Sequence, residues 1–142
     1  MVESQKKLFN KIISIELGTD LYKRAKKRFK DNKNITIVQG DSGKILPSIL
    51  KNINQSVLFW LDGHYSAGVT ALGDKECPIF EELDAVFNNS KNKHTILIDD
   101  ARCFNGTGDY PTIEKLKKYI KGKNKNYKVT IKNDIIRCEL FK

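Results

Sequence analysis

Four short apolar segments along the chain are each followed closely by an acidic residue. They span 12–15, 35–38, 57–61 and 95–98, and each is nearly continuous in hydrophobicity and rich in β-branched or aromatic side chains. Such runs are typical of strands that are buried on both faces of a parallel sheet. The segments between them have helical spacing, so the pattern predicts alternating strands and helices.

The same pattern predicts the element boundaries. Helices are expected near 2–10, from Thr19 or Asp20 to about Asp31, near 44–52, from Pro78 to about Asn88 and over about 112–121, and strands at 11–16, 35–39, 57–61, 95–99, 127–132 and 135–141. Asn133–Asp134 between the last two strands predicts a tight antiparallel hairpin. The expected fold is α/β and Rossmann-like, a doubly wound, mostly parallel sheet with this hairpin at its C-terminal end, in a single domain over 1–142.

The cysteines, the length of the apolar runs and the net charge indicate which classes of protein the chain can belong to. Cys77, Cys103 and Cys138 are odd in number and form no C-x-x-C motif, which favours free thiols in a reduced, cytoplasmic protein. No apolar run reaches the roughly 20 residues that cross a bilayer, so no membrane association is expected. The net charge of +9, concentrated in 23–30 and 115–128, leaves nucleic-acid binding as an alternative to a simply solvated lysine-rich surface.

The acidic residues after the strands form the candidate site. Ligands of open parallel sheets bind outside the carboxyl ends of the strands, so Glu16, Asp41, Asp62 and the pair Asp99–Asp100 should meet at one edge. A carboxylate such as Glu16 can accept hydrogen bonds from both hydroxyls of a ribose. Asp41 can accept one from the exocyclic amine of adenine, with Ser42 adding contacts at the ring edge. The pattern therefore predicts a nucleoside site.

With these residues in place, the chain resembles the class I S-adenosylmethionine-dependent methyltransferases, and most closely their metal-dependent O-methyltransferase branch. The resemblance rests on segments at successive strand ends, namely 13–16, 38–42, 59–65 and 96–100, and on the terminal hairpin. The family's first strand and its Gly-rich turn are missing before Ile12. We therefore expect either a gap in the sheet or direct pairing of strands 11–16 and 57–62, with an open edge that favours a homo-oligomer.

The resemblance implies that S-adenosylmethionine is the cofactor. It places Glu16 at the ribose, Asp41 with Ser42 at the adenine and Asp62 at the reacting end. The implied reaction is transfer of a methyl group to a hydroxyl of a small-molecule acceptor, with His64 taking the proton.

The resemblance also implies a divalent cation. Asp62, Asp99 and Asp100 match the acids that hold it in the metal-dependent branch, and hard oxygen ligands favour Mg²⁺ over zinc. The ion would orient the acceptor hydroxyl and lower its pKa.

Structural alternatives stand beside these roles. Carboxylates at strand ends commonly cap the following helix, and Arg102 is close enough in sequence to neutralise the Asp99–Asp100 pair without a metal. Tyr65, Arg102 and Tyr110 are candidates for lining a substrate pocket. His94 is assigned no role, and Phe59 and Trp60 are expected in the core. For the whole protein, the alternatives are a non-catalytic methyltransferase-like remnant or interaction module, and a basic nucleic-acid-binding protein.

Overall fold

The computed structural model describes residues 1–63, 75–89 and 93–140, and its strands alternate with helices. The elements are α1 (Val2–Gln5), β1 (Ile12–Glu16), α2 (Thr19–Arg28), β2 (Ile35–Gln39), α3 (Ser42–Leu50), β3 (Leu58–Leu61), α4 (Ile79–Asn88), β4 (Thr95–Ile98), a short 3₁₀ turn (Ala101–Cys103), α5 (Ile113–Lys123), β5 (Tyr127–Lys132) and β6 (Ile135–Leu140). This is the predicted α/β order, with every predicted strand present.

The strands form two sheets. β1 and β2 pair in parallel, and the other four strands follow the order β3-β4-β6-β5, in which β3 and β4 are parallel and β6 is antiparallel to both neighbours. Within the described ranges no strand pairing joins β1 to β3. Of the two arrangements expected from the sequence, the described residues have the gap, and the direct pairing of 11–16 with 57–62 does not occur. Self-association through the open edges stays a prediction.

The C-terminal hairpin forms as predicted. Lys132 pairs with Ile135 across a two-residue turn in which Asn133 and Asp134 have φ of 54° and 61°. Positive φ at both central residues is the requirement of a type I′ turn, and Asn and Asp tolerate it better than most side chains.

The main core lies between the four-stranded sheet and helices α3, α4 and α5. Its most deeply buried side chains are Leu83, Val86, Ile96, Leu116, Ile120, Ile136 and Cys138. Phe59 is buried as expected, whereas Trp60, which points to the other face of β3, is only half-buried. β1 contributes no fully buried residue, and only its Ile15 packs against this core.

His94 has a structural role at the start of β4, in keeping with the absence of any predicted site role. It is 3% exposed, its Nδ1 accepts the N–H of Val57 at 3.2 Å, and its carbonyl accepts the Tyr127 hydroxyl at 2.9 Å. Burial lowers the pKa of this imidazole, which favours its neutral form.

Several helix boundaries differ from the predictions; α2, for example, ends at Arg28 rather than near Asp31. α1 ends at Gln5 rather than near residue 10, since Leu8 is 75% exposed and finds no apolar surface to pack against. α3 begins at Ser42 because the Asp41 side chain caps it, and α5 continues to Lys123. In the part of the chain that the structure describes, no helix has the length and apolarity needed to cross a bilayer.

Candidate functional site

Glu16 lies at the carboxyl edge of the two-stranded sheet. It is the last residue of β1 and is in register with Gln39, so it stands beside the exit of β2. Its Oε1 accepts the N–H of Gly18 at 3.0 Å, and its carbonyl accepts the N–H of Gly40 at 3.0 Å. The half-buried carboxylate is therefore held in place by the backbone of its own loop.

Asp41 is the N-cap of α3. Its Oδ1 accepts the N–H of Gly43 at 2.9 Å, which is the capping role considered as the structural alternative. Gly40 precedes it with φ of 146°, a conformation that a side chain rarely adopts. A carboxylate has about four lone-pair positions, so one N–H bond at Asp41, like that at Glu16, leaves capacity for a ligand.

Asp62 and Asp99 follow the two parallel strands of the larger sheet. Leu61 is in register with Ile98, so these two acids leave β3 and β4 at the same level. Both line a small cleft of about 10 Å³, enough for one water molecule, together with Glu82. The structure thus brings Asp62 and Asp99 together.

Asp100 does not line this cleft with Asp62 and Asp99 but forms an ion pair with Arg102. Its Oδ1 lies 2.6 Å from Nη1 of Arg102, which also forms an ion pair with Asp134 of the hairpin turn. The backbone N–H of Arg102 donates to Asp134 Oδ1 at 2.8 Å. Arg102 therefore neutralises Asp100 as the structural alternative proposed, and it is not among the residues that line the cleft around Asp62.

The metal prediction gains no support from this geometry. Among residues 1–63, 75–89 and 93–140, no three His, Cys, Asp or Glu side chains are grouped so that they could hold a metal ion. Asp62 and Asp99 share a cleft, whereas Asp100 is paired with Arg102.

Glu82 is a member of this edge that the sequence analysis missed. It lies on α4, is only 3% exposed, and lines the same cleft as Asp62. Burial raises the pKa of its carboxyl to about 7, and the neighbouring charges of Asp41, Glu81 and Asp62 also raise it. A hydrogen bond with Ser42 lowers the pKa but does not outweigh burial. The available signal was its spacing, because Glu82 falls on the apolar stripe of α4. The apolar members of that stripe are Ile79, Leu83 and Val86.

The thiol of Cys77 and the phenol of Tyr110, which also line the cleft, keep their protons near neutral pH. Burial raises the pKa of the Cys77 thiol to about 12, and burial likewise raises the pKa of the Tyr110 phenol to about 12. Since thiolates rather than thiols are nucleophiles, Cys77 is a packing residue and not a candidate nucleophile.

A wider cleft of about 290 Å³ adjoins the first, with Tyr110 lining both. The Phe80 ring and Lys115 contribute to its wall, and Lys115 Nζ lies 5.8 Å from the centre of that ring. His64 and Tyr65, predicted as proton acceptor and pocket residue, lie outside the described residues.

No protein-family model matches the chain, and no curated protein matches it. Two crystal structures are similar in fold. One, described as an rRNA methylase from Clostridium thermocellum, has 14% identity and a TM-score of 0.60 over 92% of this chain and 75% of its own. The other, described as a caffeoyl-CoA O-methyltransferase from Staphylococcus aureus, has 11% identity and a TM-score of 0.51 over 91% of this chain. This chain spans 64% of the length of that second protein. The likeness establishes the Rossmann-like fold of these methyltransferases.

Proposed function

We propose that the protein binds S-adenosylmethionine at the acidic strand edge and transfers its methyl group to a hydroxyl of a small molecule. The observation that carries the proposal is the pair Glu16 and Asp41. These two carboxylates stand at the carboxyl ends of neighbouring parallel strands, and each is oriented by one backbone N–H. The fold shared with two methyltransferases supports the same reaction class.

The hydrogen-bond acceptors at this edge suit a nucleoside. Glu16 would accept hydrogen bonds from the two ribose hydroxyls, and Asp41 would accept one from the adenine amine through the oxygen that does not cap α3. Ser42 would complete the adenine contacts at the first residue of α3. When bound, the cofactor supplies a methyl group activated on a sulfonium.

The acceptor would lie beyond Asp62, where the two clefts meet. Phe80 and Tyr110 offer ring surfaces there, and Lys115 offers a cation at the rim. Asp62 would orient the acceptor hydroxyl, with His64 as the proposed proton acceptor. The described residues do not form a site that fits Mg²⁺, and the roles proposed here invoke no metal.

Calorimetric titration of S-adenosylhomocysteine tests the proposal, with variants chosen to spare the fold. Glu16→Gln keeps an oxygen for Gly18 and removes the charge. Asp41→Asn keeps the N-cap through its amide oxygen, but its NH₂ group then faces the adenine amine. Since both groups are donors, no hydrogen bond can form between them. Each should weaken binding by about tenfold or more, because charge-assisted hydrogen bonds are lost. Asp20→Asn, in the exposed first turn of α2, is the matched control.

Micromolar binding that both variants lose, and that the control keeps, would establish the cofactor site and justify a screen of hydroxylated acceptors. Absence of heat from a folded wild-type chain would contradict the proposal and favour a methyltransferase-like remnant without catalysis.

A nucleic acid is the second candidate acceptor, because α2 and the turn that follows it present an exposed basic face. Lys23, Arg24, Lys27 and Lys30 are exposed, and within the described ranges none of them forms an ion pair. One fold neighbour is described as an rRNA methylase. Four phosphate contacts predict that log K for RNA falls with log salt at a slope of about −3, whereas a nucleoside site would be nearly indifferent to salt. Fluorescence anisotropy with a labelled RNA measures this slope.

A further inference from the structure

The two acidic strand ends belong to sheets that no described strand pairing connects. Asp41 follows β2 of the smaller sheet, and Asp62 follows β3 of the larger one. Backbone hydrogen bonds within each sheet therefore leave the separation between these two acids undetermined. A ligand that contacts both needs some other structure to fix it.

Helices α3 and α4 pack side by side and supply part of that connection. At their far ends, the Asn89 side chain donates to the carbonyl of Leu50 at 2.6 Å. At the ligand edge, a Cβ placed on Gly43 would lie 3.0 Å from Cβ of Glu81, so the first turns of the two helices are in close contact.

The closest approach at the ligand edge involves Glu82. A Cβ placed on Gly63 would lie 2.6 Å from Glu82 Oε1 and 3.0 Å from Ser42 Oγ. The Ser42 hydroxyl and the Glu82 carboxyl therefore both lie against the Cβ position of Gly63, and Glu82 is only 3% exposed. The exit of β3, the first turn of α3 and the first turn of α4 thus meet at one buried carboxyl.

We propose that Glu82 is a positioning residue, which fixes through Ser42 and Gly63 the separation of Asp41 and Asp62. Its consequence for cofactor binding rests on the function proposed above, whereas the positioning itself does not.

The charges around Glu82 are consistent with this role. Asp41 faces it from the β2–α3 turn, Asp62 from the end of β3, and Glu81 from its own helix. A fully ionised Glu82 would repel all three. Burial and these neighbours raise the pKa of Glu82 to about 7, so near neutral pH a large fraction carries a proton.

The test separates positioning from simple packing. Glu82→Leu replaces the carboxyl by an apolar group of similar volume, so it removes the polar contact with little change in packing. Glu82→Gln keeps an oxygen for Ser42. Ser42→Ala removes the partner with little loss of volume and serves if Glu82→Leu does not fold. Glu114→Leu on the exposed face of α5 is the control for the added apolar group.

The first measurement is amide hydrogen exchange of the ligand-free chain in the segments 41–45 and 61–63. We expect exchange to be about tenfold faster in Glu82→Leu and Ser42→Ala, as for loss of one buried hydrogen bond, and unchanged in Glu82→Gln and in the control. Exchange that stays at the wild-type rate in the first two variants overturns the positioning role, whatever happens to affinity.

The second measurement is calorimetry with S-adenosylhomocysteine on the Glu82 variants and the control. We expect about tenfold weaker binding for Glu82→Leu and recovery in Glu82→Gln, whereas Ser42→Ala serves only the exchange measurement because Ser42 is itself a proposed adenine contact. Changed exchange in a chain whose wild type binds no S-adenosylhomocysteine would uphold the positioning role and reject the proposed cofactor. Changed exchange with undiminished affinity would show that the separation does not matter to this ligand, which overturns the link to binding.

Discussion

The buried carboxyl of Glu82 should make the stability of this protein fall between mildly acidic and mildly alkaline pH. In the unfolded chain its pKa is near 4.5, and burial, with the neighbouring acids, raises it to about 7 in the folded state. Below pH 4.5 the group is protonated in both states. Between these values the folded state binds more protons than the unfolded state, so the free energy of unfolding decreases as pH rises.

The size of the effect follows from the two pKa values. They differ by about 2.5, and each pKa unit corresponds to 1.36 kcal/mol, which gives about 3 kcal/mol in total. Between pH 5 and pH 8 the loss due to Glu82 is about 2–3 kcal/mol, because a small part of the total has already been lost at pH 5. Glu82→Gln cannot ionise and should not show this loss.

Denaturant unfolding at pH 5 and pH 8, followed by the fluorescence of the single tryptophan, Trp60, measures the effect. The quantity of interest is the change in unfolding free energy of the wild type between the two pH values, minus the same change in Glu82→Gln. Titrating groups remote from Glu82, such as His94, contribute equally to both proteins and cancel. Parallel pH profiles for the two proteins would refute the reasoning, since they would mean that Glu82 ionises in the folded state as it does in water.

Four further predictions concern the stability of the fold and of its parts. Gly63→Ala should destabilise the fold by about 1–3 kcal/mol in thermal denaturation, because its Cβ would lie 2.6 Å from a buried carboxylate oxygen. Gly122→Ala, with nothing within 4 Å in a helix, should instead stabilise it by up to about 1 kcal/mol. Tyr127→Phe should cost about 1–2 kcal/mol in the same assay, because the buried carbonyl of His94 loses its donor. Amide exchange should be faster in 12–39 than in the four-stranded sheet, because the smaller unit β1–α2–β2 buries fewer apolar side chains. Equal protection of the two would mean that β1–α2–β2 is not the less stable part.

Features set by neighbouring residues could be predicted from the sequence. The four apolar runs became strands, and the hairpin turn formed at Asn133–Asp134, because both depend on local side-chain chemistry. The placement of the acids followed from the same reasoning, since a residue after a parallel strand lies at its carboxyl edge whatever else packs nearby. The roles of Glu16, Asp41, Asp62 and Ser42 toward a cofactor remain predictions.

Features set by distant contacts could not be predicted in the same way. Glu82 is buried because Ser42 and Gly63, from two other strand ends, close over it. Arg102 was a foreseeable partner for Asp100, but its second partner Asp134 is 32 residues away in the hairpin.

The first helix is shorter than its sequence pattern predicts, because a helical pattern alone does not supply a surface to pack against. The spacing of residues 2–10 suited a helix, but the structure forms only Val2–Gln5. Leu8 and Phe9 remain 75% and 37% exposed, so no buried face stabilises the remaining turns. A short helix in water is marginal without such packing.

The division of the sheet bears directly on the proposed site. In residues 1–40 only Phe29 is a buried apolar side chain, whereas the rest of the core belongs to the four-stranded sheet and its helices. Each buried apolar side chain contributes about 1.5–3 kcal/mol, so the unit β1–α2–β2 is the less stable part. Glu16 and the approach to Asp41 lie on that unit, while Asp62 lies on the other. A ligand bound to both would stabilise the weaker unit by about 2.7 kcal/mol at a hundred times its dissociation constant. Cofactor binding and the ordering of β1–α2–β2 are therefore expected to be coupled, and Glu82 stands at the junction between them.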